Sequence, residues 1–226
     1  MDNFIITHPW NLDTFNRSPE HLEIINAKLQ QYGLLNQKNP PQKSIIKMVE
    51  TIILNIANKL ESGEPVWFMV FCNSFSALNT CSKLLPASFA LSTAKSANIS
   101  TPDELLKLFT TKRFNNYDTE SFDILSVFKG ASLLIMDNFI EKNPMTSKYS
   151  GSFVDFFSSR LSRRLPTIFP FVYSDSSFTK STVDKVYRGV EANFGQSFLH
   201  MFQESCSVLY FNSPPSHSVM PVGIDI

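Results

Sequence analysis

Four short stretches without a single charge limit what this chain can fold into: 66–71 (VWFMVF), 131–136 (ASLLIM), 165–173 (LPTIFPFVY) and 207–211 (SVLYF). Each is too short for a buried helix and too uniformly apolar for a strand with one wet face. Each therefore reads as a strand covered on both sides. Between them the apolar residues recur at helical spacing. Residues 43–60 carry Ile45, Ile46, Val49, Ile52, Ile53, Ile56, Ala57 and Leu60, which makes a broad buried helix face. Strands alternating with helices predict an α/β fold in three layers around a mostly parallel sheet.

The second of these stretches ends in Asp137-Asn138. A carboxylate at the C-terminal end of a parallel strand lies where open α/β sheets bind ligands. A core strand followed by a loop aspartate has the same pattern, so the rest of the chain has to decide between them.

The remaining elements have clear local signals. Ser18-Pro19-Glu20 opens a helix that runs to about Tyr32 and stops at Gly33. Residues 1–42 form an N-terminal arm and helix, 43–211 the core and 212–226 a tail. The segment Asn73–Thr80 reads as a turn, followed by a short helix that Pro86 stops at Leu85, and Phe89–Leu91 as a brief strand. Thr101 as N-cap, Pro102 in the first position and Asp103 and Glu104 after it start another helix. Phe153–Arg164 is amphipathic, with Phe153, Phe156 and Phe157 on one face. Thr179–Phe202 is helical, interrupted by Gly189 and Gly195.

Composition removes several classes of function. The 226 residues are 43% hydrophobic, enough for one large domain with a sizeable core. Twenty basic residues balance twenty acidic ones, so no overall field favours a polyanion. Three cysteines without metal-ligand spacing predict reduced thiols in a cytoplasmic protein. The N-terminus lacks a signal-peptide pattern, and no run is long enough to span a membrane. Cys72 lacks a positioned base and reads as a structural thiol; Asp184, Glu191 and Glu204 read as solvated.

The order of these parts resembles the AAA+ core of DnaC/DnaI-type helicase loaders, close to the IstB ATPases. The resemblance spans about residues 43–211 and is carried by TPDELLKLF, LLIMDN and RRLPTI. It implies a three-layer P-loop NTPase-like fold. It also implies a phosphate loop over Asn73–Thr80, with Thr80 as the metal-side hydroxyl and Asp137 as the Mg²⁺ carboxylate. The chain departs from that pattern at several points. Asn79 stands at the lysine position, and Asn73, Ser76 and Leu78 stand at glycine positions. Such a loop needs glycines to wrap phosphates with N–H groups and a lysine to balance their charge. Asn138 replaces the acid that orients the attacking water, and an amide cannot act as a base. Ser197 and Met201 replace two arginines, and Val172 a polar residue.

The resemblance and its departures together predict a pseudo-ATPase in DNA replication, with no catalytic residue and no turnover. It would act through contacts with a replicative helicase, an initiator or an AAA+ loader. A regulatory or decoy subunit that inhibits an active loader is one alternative. Another is a protein that still binds ATP or ADP with Mg²⁺ at Asn73, Asn79, Thr80, Asp137 and Asn138, the metal on Asp137. Arg160, Arg163 and Arg164 form the densest basic cluster. In loaders this region faces single-stranded DNA or a neighbouring subunit; the same residues would also suit a solvated helix end.

Overall fold

The structure is a computed structural model that describes residues 42–93, 95–114, 119–174 and 177–212. The expected arm, its helix and the tail beyond Asn212 lie outside these residues. In chain order the elements are α1 (Lys43–Ser62), β1 (Trp67–Cys72), α2 (Phe75–Thr93), β2 (Ala97–Ser100), α3 (Pro102–Phe114), α4 (Thr119–Gly130) and β3 (Leu133–Met136). They continue with α5 (Ser150–Ser162), β4 (Thr167–Val172), α6 (Lys180–Phe194), α7 (Gln196–Ser205) and β5 (Cys206–Phe211).

The strands form one sheet in the order β2-β3-β4-β1-β5, and every adjacent pair is parallel. β1 is central and all six of its residues are buried. Its side chains alternate between faces, as a strand requires. Phe68, Val70 and Cys72 point into a core built with α1 and α2. Trp67, Met69 and Phe71 point into a second core built with α3, α5, α6 and α7. The predicted three layers follow directly from that alternation. Phe153, Phe156 and Phe157 are buried in the second core, as their spacing predicts.

At Thr101 the local signals hold in full. Its hydroxyl accepts the Glu104 N–H at 3.2 Å, and the Glu104 carboxylate accepts the Thr101 N–H at 3.0 Å. This reciprocal capping box fixes the start of α3.

Two local signals are overridden. Pro86 does not stop α2, which runs unbroken to Thr93 and takes in the expected strand Phe89–Leu91. A proline inside a helix costs about 3 kcal/mol. Leu84, Leu85, Phe89 and Leu91 are all buried along this helix, and each such burial is worth about 1.5–3 kcal/mol. Packing therefore outweighs the lost hydrogen bond. Of the two glycines expected to interrupt Thr179–Phe202, Gly189 lies inside α6 without breaking it, whereas Gly195 does separate α6 from α7, with a φ of 83° and ψ of 172° open only to glycine. A Gly195→Ala variant is expected to lose about 1–3 kcal/mol, read as a lower urea midpoint with an unchanged slope.

Pro170 sits within β4, where a strand proline is awkward. Thr167 donates to Val66 O at 3.2 Å and Tyr173 to Cys72 O at 3.1 Å, so odd-numbered N–H groups of β4 face β1. Pro170 therefore turns its missing N–H towards β3. Pairing with β3 ends at Ile168, so the sheet loses no bond there. The strands part at this point, and a cleft opens.

Candidate functional site

β1 and β4 are neighbours in the sheet, but the helices that follow them lie on opposite faces. α2 packs into one core, α6 into the other. Connections that diverge in this way leave a crevice at the C-terminal ends of the two strands. A cavity of about 690 Å³ lies there, within the size range of ligand sites. Its wall is formed by the first turns of α2, the turn after β3, the end of β4 and one face of α6.

The turn after β3 is tightly held. Asp137 N–H donates to Ser100 O at 2.9 Å, and one Asp137 carboxylate oxygen accepts the Asn138 N–H at 3.0 Å. Asn138 takes a left-handed conformation with φ 52°, which asparagine tolerates better than other non-glycine residues. Glu141 N–H closes the turn on Asn138 O at 3.0 Å. α6 presses on the same turn from outside. Asn193 Nδ2 donates to Glu141 O at 3.2 Å. A Cβ at Gly189 would come within 3.1 Å of the Ile140 side chain, so glycine permits this close approach.

The connection from β1 to α2 differs from the predicted loop over 73–80. Only Asn73 and Ser74 separate strand from helix. Ser74 caps α2: its hydroxyl accepts Ala77 N–H at 3.3 Å and its carbonyl accepts Leu78 N–H at 3.0 Å. Residues 75–80 are therefore helix, and no loop is left to wrap around phosphates. Thr80 lies inside α2, where its hydroxyl donates to Ser76 O at 2.9 Å.

Of the five candidate nucleotide residues, the structure gathers Asn79, Asp137 and Asn138 on the cavity wall. Asn73 and Thr80 are not part of it. Val172 lines the wall and is 48% exposed. Ser197 is exposed, and Met201 accepts a hydrogen bond from Ser158 Oγ at 3.3 Å. Sequence reading missed Phe75, Tyr173 and Lys185, which also line the cavity. The available signal for Tyr173 was Pro170, which marks where β4 loses its neighbour. Lys185 had none, because its place depends on how α6 packs. Cys72 stays structural: burial pushes its thiol pKa up, so little thiolate forms. Among the described residues, no three His, Cys, Asp or Glu converge as a metal group.

The basic cluster is corrected. Arg160, expected to contact DNA or a partner, is fully buried at 0% exposure. Its Nε donates to Thr167 Oγ1 at 3.1 Å, Nη1 to Phe128 O at 2.8 Å and Ala131 O at 2.9 Å, and Nη2 to Pro166 O at 2.7 Å. Burial, with some repulsion from Arg163, lowers its pKa to about 9, and it remains charged at neutral pH. Arg164 takes φ 52° and caps the end of α1, donating to Leu60 O at 2.9 Å and Lys59 O at 3.2 Å. Arg163 and Arg164 are both exposed, so of the three only Arg160 is withdrawn from the surface.

Among the described residues no helix is long and apolar enough to cross a membrane. No protein-family model matches the chain. No curated protein matches it in sequence. Solved structures do match in fold. The DnaC helicase loader superposes with a TM-score of 0.52 at 15% identity, over 78% of this chain and 94% of that one. DnaI gives 0.47 at 14% identity, over 80% and 88%. A primosome component from Streptococcus pyogenes serotype M3 gives 0.47 at 13%, over 76% and 81%. At such identities the likeness to the DnaC loader establishes the fold alone: a three-layer α/β architecture around a parallel sheet.

Proposed function

We propose that this loader-type domain acts in DNA replication by protein contact, having given up nucleotide turnover. The observation that carries the reading is the two-residue connection between β1 and α2. A triphosphate with Mg²⁺ needs a wrapped loop, a lysine and a metal-side hydroxyl. Here the helix starts at Phe75, Asn79 stands at the lysine position and the Thr80 hydroxyl is spent on Ser76. Asn138 follows Asp137 where a base would be needed. Among the described residues the cavity wall carries two carboxylates, Asp137 and Glu141, against one cation, Lys185, which repels a polyanion rather than attracting one. The likeness to a helicase loader supports a replicative helicase as the partner.

Calorimetric titration with ATP or ADP and Mg²⁺ at millimolar concentration is expected to show no binding. Phosphate release is expected at the level of the buffer blank. The purified chain, used as bait against a hexameric replicative helicase, is expected to retain it without added nucleotide. Phosphate release above the blank would overturn the loss of turnover, and nucleotide binding without release would favour the protein that still binds ATP or ADP. Failure to retain the helicase, with an active AAA+ loader retained instead, would favour the regulatory subunit.

A further inference from the structure

The cavity that a nucleotide site would occupy is neither filled nor closed. Two exposed apolar residues stand at its mouth: Phe75, 69% exposed on the first turn of α2, and Val172 at the end of β4. The side chain of Phe75 gains nothing from packing there, since it is left largely in water. The rings of Phe71, Phe139 and Tyr173 lie buried beneath the wall, so Phe75 is the aromatic surface offered to the cavity. Among the described residues the charge it presents is net negative, Asp137 and Glu141 against Lys185. Among the described residues, the Glu141 carboxylate has no hydrogen-bond or ion-pair partner, and that of Asp137 accepts only its own turn's N–H. An exposed apolar rim that includes the Phe75 ring, together with these carboxylates, forms a pocket suited to one side chain that is long, partly apolar and cationic.

We infer that this cavity is the docking pocket for a protein partner, and that it receives an arginine or lysine flanked by apolar residues. The inference rests on the reading that nucleotide no longer occupies the site. The charge selects the occupant. A basic side chain would pair with Asp137 and Glu141 and lay its stem or guanidinium on the exposed ring of Phe75, while apolar neighbours would cover Val172 and the rest of the rim. An acidic or phosphorylated segment would meet the same carboxylates as repulsion. Burial of one anchor within an apolar rim is the arrangement of an interface hot spot.

The probe is the peptide acetyl-Leu-Arg-Leu-amide, titrated into the ¹⁵N-labelled full chain and followed by amide shifts. Its acetyl-Leu-Gln-Leu-amide counterpart is the control. Saturable shifts are expected at residues 75–82, 137–141 and 171–174. A charge-assisted hydrogen bond is worth about 1.5–3 kcal/mol, so the Arg peptide is expected to bind at least about tenfold tighter than the Gln peptide. Glu141→Gln and Asp137→Asn, each checked for an unchanged melting temperature, are expected to remove most of that difference, and added salt to narrow it. If either variant melts lower, the Arg-versus-Gln difference in the unaltered chain still decides. Equal binding of the two peptides, or shifts elsewhere on the chain, overturns the pocket. ATP with Mg²⁺ shifting the same amides overturns the underlying reading instead, so the two failures are told apart.

Discussion

Replacing Arg160 with methionine is expected to lower stability by about 3–5 kcal/mol, the range for removing one side of a buried charged network. The physical reason lies in what the guanidinium holds. It bridges the last turn of α4 through Phe128 O, the entry to β3 through Ala131 O and the entry to β4 through Pro166 O and Thr167 Oγ1. Without it, these buried acceptors lose their donor, and each unpaired group costs about 1–3 kcal/mol. Among the described residues no carboxylate pairs with the charge; its counter-field comes from carbonyls at the C-terminal ends of α4 and of its own helix α5, where the helix dipole favours a cation. Lysine would supply the charge but not the fork of donors, so Arg160→Lys is expected to recover only a minor part. Urea unfolding followed by circular dichroism measures both. A loss below about 1 kcal/mol for Arg160→Met, the net worth of a single ordinary hydrogen bond, would show that the network is dispensable.

Truncating Phe139 to alanine is expected to cost a similar amount, about 3–5 kcal/mol. Phe139 lies two residues after Asp137 and is buried at the centre of an aromatic cluster. Its ring stands 4.6 Å from Phe169 and from Phe194, and 5.8 Å from Phe157, Phe198 and Phe202. These contacts join β4, α5, α6 and α7 beneath the turn that carries the cavity's carboxylates. The loss should therefore have a local signature as well as a global one. Amide exchange at residues 138–141 is expected to accelerate more than exchange in β1, since the turn loses its anchor while the strand keeps its neighbours. Uniform acceleration would mean that the ring serves only general packing.

The legible part of this protein was the part governed by local rules. The all-apolar runs fixed where four of the five strands lie, because a run of such length without charge can only be buried; the edge strand β2, Ala97–Ser100, has no such run. The capping residues at Thr101 fixed where α3 begins, because the bonds they make span only three residues. The spacing of Phe153, Phe156 and Phe157 fixed a core face. The place of Asp137 at a strand end was also visible, and with it the part of the sheet where a site would form.

What the sequence misjudged depended on partners distant along the chain. Arg160 looked like a surface cation, because nothing within its own helix announces that Phe128, Ala131 and Pro166 will present carbonyls to it. Pro86 looked like a helix end, because the apolar surface that carries α2 through it belongs to the sheet. Asn73–Thr80 looked like a loop from its resemblance to one, whereas burial of Leu78 and Cys81 against β1 draws the helix forward to Phe75. The sequence by itself determined a three-layer parallel sheet with an aspartate at its ligand edge, since those features follow from polarity and short-range hydrogen bonding. Only the tertiary structure decided that α2 begins at Phe75 and that the edge opens on a cavity holding Asp137, Glu141 and Lys185, since the first depends on burial against β1 and the second on how closely α6 approaches the turn after β3.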